Sequence, residues 1–425
     1  MRRRLTVLAA GLAVAAGLAA PAPAADFRPL GAYVESLPDG GKRPGASVLV
    51  LRNGRELFYA QAGMADLEAG RPIRRDTLFR VYSMTKPVTA AAVMILVDEG
   101  KLRLDDPVTN YIPEFRELRV FKGMDGDRML TDPAGPMTVE NLLTHTAGFS
   151  YAFQSGPVAS LYKKTPLAGD VWRFDPAFKG GDAFARTLAG LPLVAQPGER
   201  WHYSMALDVA ALVVQRASGV AFETFARDRI FRPLGMDDTG FSVPPEKAHR
   251  LASLYQVSLK GGLQKTDDGA TSPLLHPLGG FSGGAGLVST IDDYARFARM
   301  LADGGTGNGR RILSRPAVAA MMTNHLTPAQ LGEMKATAAF GLGGQGEGLG
   351  FGYGGAVVTS TAALGGLGSV GEYAWGGAAS TTFWIDPMQK VIVIFMTQVI
   401  PPMDRIRDHL RERTYTALSA PHPRK

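Results

Sequence analysis

Residues 79–108 read FRVYSMTKPVTAAAVMILVDEGKLRLDDPV. From Met84 to Glu99 this stretch is rich in Ala, Val, Met and Leu, and it ends at Gly100, a residue suited to a helix C-terminus. Pro87 falls in the first turn, where its missing N–H costs little. The stretch predicts a helix that is apolar nearly all round, and so buried at the centre of the fold. Ser83 stands at its N-terminus. Lys86 lies three residues on, on the same face. A serine hydroxyl is a weak nucleophile until a base takes its proton. A lysine serves as that base once burial lowers its pKa from about 10.4. The helix N-terminus adds a positive field where an oxyanion would form. Ser-x-x-Lys also arises by chance, as a capping serine and a solvated lysine. The apolar helix behind Lys86 and the apolar approach through Phe79, Val81 and Tyr82 favour the reactive pair.

On the N-terminal side, Ser47–Arg52 and Arg55–Ala62 are strand-like runs joined by Asn53-Gly54, a strong hairpin signal. Residues 25–43 form a leading helix or extended arm. On the C-terminal side, Thr138–Thr144 predicts a short helix with Thr138 as its cap, running into a turn at His145–Gly148. A loop-rich stretch covers about 150–200. Further helices are expected at Ser204–Ser218, at Phe222–Ile230 (stopped by Pro233 and Gly235) and at Thr290–Ala302. Dense glycine from 341 to 377 predicts tight turns. Thr381–Ile385 and Val391–Met396 are strands parted by Asp386-Pro387, and a last helix spans about Met403–Leu418. Strands at both ends with helices between them predict an α/β (α+β) fold. Its antiparallel sheet is built from both chain ends and flanked by helices, with a mainly helical region, roughly residues 100–290, inserted.

Apolar residues make up 45% of the 425 and charged residues 20%, which is ordinary for a folded chain. Arg2, Arg3 and Arg4 precede an apolar run from Leu5 to about Ala20 and then Ala22-Pro23-Ala24, the pattern of a cleaved signal peptide over residues 1–24. The run is short for a membrane span of about 20 residues. Residues 25–425 would then be one catalytic domain, exported to the periplasm or secreted, by the general or the twin-arginine route. There is no cysteine, hence no disulfide and no thiolate metal site. The formal charge is +7, but without the three leader arginines and the terminal Arg424 and Lys425 the balance is about +2. With no long basic run, nucleic-acid binding is not expected. The seven histidines show no metal-binding spacing, so no metal or cofactor is expected.

The 79–108 segment resembles the nucleophile segment of class C β-lactamases, penicillin-binding proteins and, most closely, family VIII carboxylesterases. The likeness continues at MTVENLLTHTAGFSY (137–151), FRPLGMDDTGF (231–241), GGAGLVSTIDDYARFARML (283–301) and WGGAASTTFWIDP (375–387), and covers about residues 40–400. It implies a β-lactamase-like fold and a hydrolase that forms an acyl-enzyme on Ser83. By position, the family's tyrosine falls on Tyr203 in Tyr203-Ser204-Met205, where it would share proton transfer with Lys86 and protonate the leaving alcohol. The family's Lys-Thr-Gly strand falls on Trp375-Gly376-Gly377, and the resemblance puts the N–H of Ala378 with that of Ser83 in the oxyanion hole. Two departures bear on substrate. Trp375 replaces the lysine that meets a β-lactam carboxylate, and Met205 replaces the asparagine that meets the substrate amide. Both remove polar recognition, so neutral acyl esters are expected to be preferred over penicillins.

Gly280-Phe281-Ser282-Gly283-Gly284 fits the Gly-x-Ser-x-Gly elbow of α/β-hydrolases, but it lacks the preceding strand and following helix. His145 is expected to pin its loop, and His202 either to line the site or to lie at the surface. Phe149 and Tyr151 are candidates for an acyl pocket. The same fold also allows a β-lactamase, a D-amino-acid or amide-cleaving peptidase, an acyltransferase, or a binding protein without turnover. The intact Ser83, Lys86 and Tyr203 argue against the last.

Overall fold

The computed structural model describes residues 25–39, 41, 43–169, 171–258, 261–276, 279–337, 348–401 and 405–419. The expected signal peptide, the glycines at 341–347 and Met403 lie outside them. The chain enters through α1 (Arg28–Ser36), then β1 (Gly45–Arg52), β2 (Arg55–Asp66) and β3 (Arg71–Pro72). Next come α2 (Thr85–Asp98), α3 (Ala206–Ser218) and α4 (Ile291–Ala302), then β4 (Leu349–Phe351), β5 (Ala356–Val358), β6 (Tyr373–Gly376), β7 (Thr382–Asp386), β8 (Val391–Thr397) and α5 (Ile406–Ser419). The main sheet has eight strands in the order β4-β5-β6-β7-β8-β1-β2-β3. Every pairing in it is antiparallel. The chain ends meet at its middle, where Val48 of β1 lies opposite Phe395 of β8. The two-ended sheet expected from the strand order is thus the one found.

Burial on both faces explains why β1 runs Val-Leu-Val-Leu without polar alternation. Val48 and Val50 face α1 and α5, beside Val393, Phe395 and Leu410. Leu49 and Leu51 face the other way, into the larger core around α2. Asn53 and Gly54 both take positive φ (52° and 71°), as this two-residue turn requires.

Several boundaries differ from expectation. The region 150–200 is more ordered than a loop, with short helices at Pro157–Tyr162 and Asp182–Ala189. The helix begun at Phe222 passes Ile230 through one wide turn and ends at Leu234, with Gly235 at φ 70°. The inserted region also holds hairpins, Arg119–Asp125 with Arg128–Pro133 and Leu254–Val257 with Leu263–Asp267. The glycine-dense segment holds three strands of the main sheet. Glycine's weak strand preference hid β4 and β5, which are held by pairing to each other and to β6.

Candidate active site

From Thr85 to Leu96 every residue of α2 is buried, Lys86 included. Ser83 lies in a tight turn, Tyr82–Met84, that feeds the helix. Tyr82 has φ 44°, a left-handed conformation unusual for a bulky residue. This bends the chain sharply between the short strand Phe79–Arg80 and α2. Strain of this kind is common where a reactive group must be presented.

Ser83 Oγ accepts hydrogen bonds from Lys86 Nζ (3.1 Å) and from the Tyr203 hydroxyl (2.7 Å). The lysine Nζ also lies 4.6 Å from the centre of the Tyr203 ring and 5.6 Å from that of Tyr151. The structure therefore brings Ser83, Lys86 and Tyr203 together, although Tyr203 is 120 residues away in sequence. Lys86 Nζ donates a further bond to the carbonyl of Gly284 (2.8 Å). An ammonium or amine with two acceptors in a dry site is held in a single orientation.

Tyr203 is fixed by its surroundings. Its ring lies 4.7 Å from that of His145 and 5.6 Å from that of Trp375. His145, at φ 56° in the turn after the Val139–Leu143 helix, accepts the Ser204 N–H at Nδ1 (3.2 Å). Its carbonyl accepts the His202 N–H (2.8 Å). His145 thus pins the loop as expected. Burial, then the charge of Lys86, holds its pKa well below 6.5, so it is the neutral tautomer with the proton on Nε2. His202 lies within hydrogen-bond distance of Gln154 Oε1 (2.8 Å), and Gln154 Nε2 donates to the Tyr203 carbonyl (2.7 Å). His202 is therefore a support behind the site.

The β6 edge forms the opposite wall. Trp375 is buried against Phe351, with ring centres 5.2 Å apart. Gly377 closes on the turn that carries Ser83, where a Cβ would collide with the Val81 carbonyl oxygen. Only glycine permits this approach. The Gly377 N–H is taken by the Thr381 carbonyl (2.9 Å), while Ala378 lies exposed just beyond the strand end. Behind Gly376 lies Arg407 of α5, buried, with Nη2 donating to the Thr381 carbonyl (3.4 Å). Burial pushes its pKa down to about 10.

Two expected pocket residues part company. Tyr151 lines the site, and the exposed Phe153 stacks on it at 4.8 Å. Phe149 does not: it is fully buried, 5.4 Å from Phe115, and belongs to the core. Its place after the turn gave no sign of which way it faces. The sequence reading also missed Asp208, buried on α3. A lone acid in the apolar run Ala206–Val214 was the available signal, since a buried charge needs a partner.

The two-ended antiparallel sheet, the buried central helix and the serine–lysine–tyrosine cluster define the serine β-lactamase-like class. The chain matches the Beta-lactamase family over residues 30–416 and belongs to it. It is 38% identical over 377 residues to an uncharacterized protein of Mycobacterium tuberculosis, covering 88% of this chain and 90% of that one. It is 35% identical over 374 residues to Esterase EstB of Burkholderia gladioli, covering 83% and 85%. Among solved structures, EstCE1, a hydrolase with promiscuous acyltransferase activity, aligns with a TM-score of 0.77 at 26% identity, covering 91% of this chain and 98% of that one. The resemblance read from the motifs is borne out.

Proposed function

We infer that the protein is a serine hydrolase of carboxylic esters that works through an acyl-enzyme on Ser83. The observation that carries this is the paired approach of Lys86 Nζ and the Tyr203 hydroxyl to one serine oxygen. Ser83 Oγ attacks the ester carbonyl and its proton passes to Lys86 Nζ. The carbonyl oxygen becomes an oxyanion between the N–H groups of Ser83 and Ala378. Tyr203 hands a proton to the departing alcohol oxygen and is reprotonated from Lys86. Water then attacks the acyl-enzyme by the reverse relay, freeing the acid and Ser83.

The relatives point the same way, since one is named an esterase and another a hydrolase with acyltransferase activity. The substrate class follows from the wall. Trp375, Phe351, Tyr203 and Trp201 form a connected, largely buried aromatic cluster that makes the wall beside Ser83 apolar. Arg407, the cation behind Gly376, is closed off by packing. A carboxylate bound there would lose water without gaining a partner, so neutral acyl esters are the preferred class. The purified chain is expected to hydrolyse p-nitrophenyl butyrate well and a cephalosporin slowly. Equal rates on the two would refute the reading of Trp375. A fluorophosphonate probe is expected to label Ser83, and Ser83→Ala to abolish both labelling and hydrolysis. An unlabelled, inactive wild type would instead favour a binding protein.

Acyl transfer is a second outcome of the same intermediate, favoured by the apolar wall beside Ser83, where an organic alcohol competes with water. Added alcohol would then yield a new ester from p-nitrophenyl butyrate. Residues 1–24 are proposed to be a cleaved export signal. N-terminal sequencing of the protein from the periplasm tests this, and an intact Met1 there would refute it. No single helix among the described residues is long and apolar enough to cross a membrane.

A further inference from the structure

Gly280–Gly284 looks like a nucleophile elbow, yet the structure gives its serine another partner. Ser282 Oγ donates to Asp208 Oδ1 (2.6 Å) and accepts the Ala285 N–H (2.9 Å). The Gly284 N–H donates to the same carboxylate oxygen (3.0 Å). The carbonyl of Gly284 receives Lys86 Nζ. The Gly284–Ala285 peptide unit thus joins Lys86 on its carbonyl side to Ser282 on its N–H side, and through the Ser282 hydroxyl to the buried Asp208. Thr89 of α2 donates to the Gly283 carbonyl (2.6 Å) and so locks, from the helix side, the neighbouring Gly283–Gly284 peptide whose N–H meets Asp208. Both glycines are required by close approach: a Cβ on Gly284 would collide with Asp208 Oδ2, and one on Gly283 with Ala211.

We propose that Asp208 is a positioning residue for the reaction: it aims the Gly284 carbonyl that orients Lys86, and it sets a negative charge behind the lysine. This rests on the reading that Lys86 takes the Ser83 proton. Hydrogen bonds along such a chain polarise one another, so a carboxylate at one end strengthens the carbonyl acceptor at the other. The titratable groups facing Lys86 are Tyr203 and Tyr151 through their rings, His145 from the turn beside α3, and Asp208. Those facing Asp208 are Lys86, Arg173 and the Tyr151 hydroxyl. Burial raises the carboxyl's pKa above its usual value, while Lys86, Ser282 and the Gly284 N–H oppose that rise. A merely structural acid would hold the segment in place without altering the proton transfer.

The test uses Asp208→Asn in the full chain. Asparagine keeps the shape and can still accept from Ser282 and Gly284, but it removes the charge. Hydrolysis of p-nitrophenyl butyrate is followed across pH together with thermal melting. KM is expected to hold within about twofold and kcat to fall about tenfold or more, since loss of the charge weakens the polarised chain to the Gly284 carbonyl and with it the transfer of the Ser83 proton, a step worth about 100-fold or more. The acid limb of the pH–rate profile is expected to move down by about one pH unit, because removing a buried anion from behind the site favours the deprotonated form of the catalytic cluster. A limb that stays in place or moves up, or a wild-type kcat, would overturn the proposal. If Asp208→Asn does not fold, Ser282→Ala breaks half of the same anchor and is expected to lower kcat with KM kept. A wild-type kcat there would equally overturn it. Wild-type chain that neither labels at Ser83 nor hydrolyses the ester would sink the function itself, a result distinct from an active enzyme indifferent to Asp208.

Discussion

Replacing Tyr203 by phenylalanine separates the chemistry of the site from its packing. The hydroxyl makes the 2.7 Å bond to Ser83 Oγ. The ring makes the contacts with His145, Trp375 and Lys86, and these survive the change. What is lost is one hydrogen bond and the proton relay to the leaving group. The bond is worth about 1 kcal/mol of stability, so thermal melting moves little. The relay is worth far more to the rate. General acid–base transfer by a placed side chain contributes about 10²–10⁴-fold, which is about 3–5.5 kcal/mol of transition-state energy. Lys86 still reaches Ser83 at 3.1 Å, so slow acylation of a substrate with a good leaving group is expected to persist. The assay is therefore kcat/KM on two esters of one acid, p-nitrophenyl and ethyl. The ethyl ester, whose poor leaving group needs the proton, should lose more. If Tyr203→Phe keeps kcat/KM on the ethyl ester within about threefold of wild type, the proposed relay is wrong.

Other outcomes follow from particular contacts. Gly284→Ala forces a methyl group into Asp208 Oδ2; overpacking of this kind costs about 1–3 kcal/mol, so denaturant unfolding should shift down and ester turnover fall with it, and a variant matching wild type in both would contradict the close approach. Arg411 of α5 pairs with the buried Glu372, with Nη1 to Oε2 at 2.8 Å, and Tyr415 donates to the same acid (2.9 Å). Arg411→Met strands that carboxylate and is expected to cost about 3–5 kcal/mol in urea unfolding; a loss below about 1 kcal/mol would show that Glu372 is protonated or hydrated instead. His145 and His202 are both held below the usual histidine pKa, chiefly by burial. Below about pH 6.5 the unfolded chain binds protons that the folded chain refuses. Their contribution is therefore full above that pH and is lost as pH falls. Unfolding midpoints at about pH 7.5 and 5 should differ in that sense, and His145→Gln should flatten the difference; an unchanged slope would exclude His145 as a source.

Local signals in the sequence proved sound where the deciding interaction is itself local. Asn53-Gly54 specified its turn because two adjacent positive φ angles are cheapest for those residues. Thr138 and Thr290 specified helix starts because each side chain accepts an N–H three residues on, from Asn141 and Asp293. The three-residue spacing of Ser83 and Lys86 on one helical face was enough to place amine and hydroxyl together. The unbroken apolar character of α2 was enough to bury them.

What depends on distant residues was not written locally. β4 and β5 lie in glycine-rich sequence with little strand preference, and they exist through hydrogen bonds to strands that only the assembled sheet supplies. The side on which Phe149 packs is set by Phe115. Tyr203 could be matched to a family motif, but its position over Ser83 is fixed by His145 of the inserted region and Trp375 of the main sheet. The sequence by itself determined the Ser83–Lys86 pair and the helix that carries it, because both lie within one helical turn. Only the tertiary structure decided how that lysine is held. The Gly284 carbonyl and Asp208 reach it across 198 and 122 positions of chain, and no local periodicity records a contact made by packing two buried helices around one glycine.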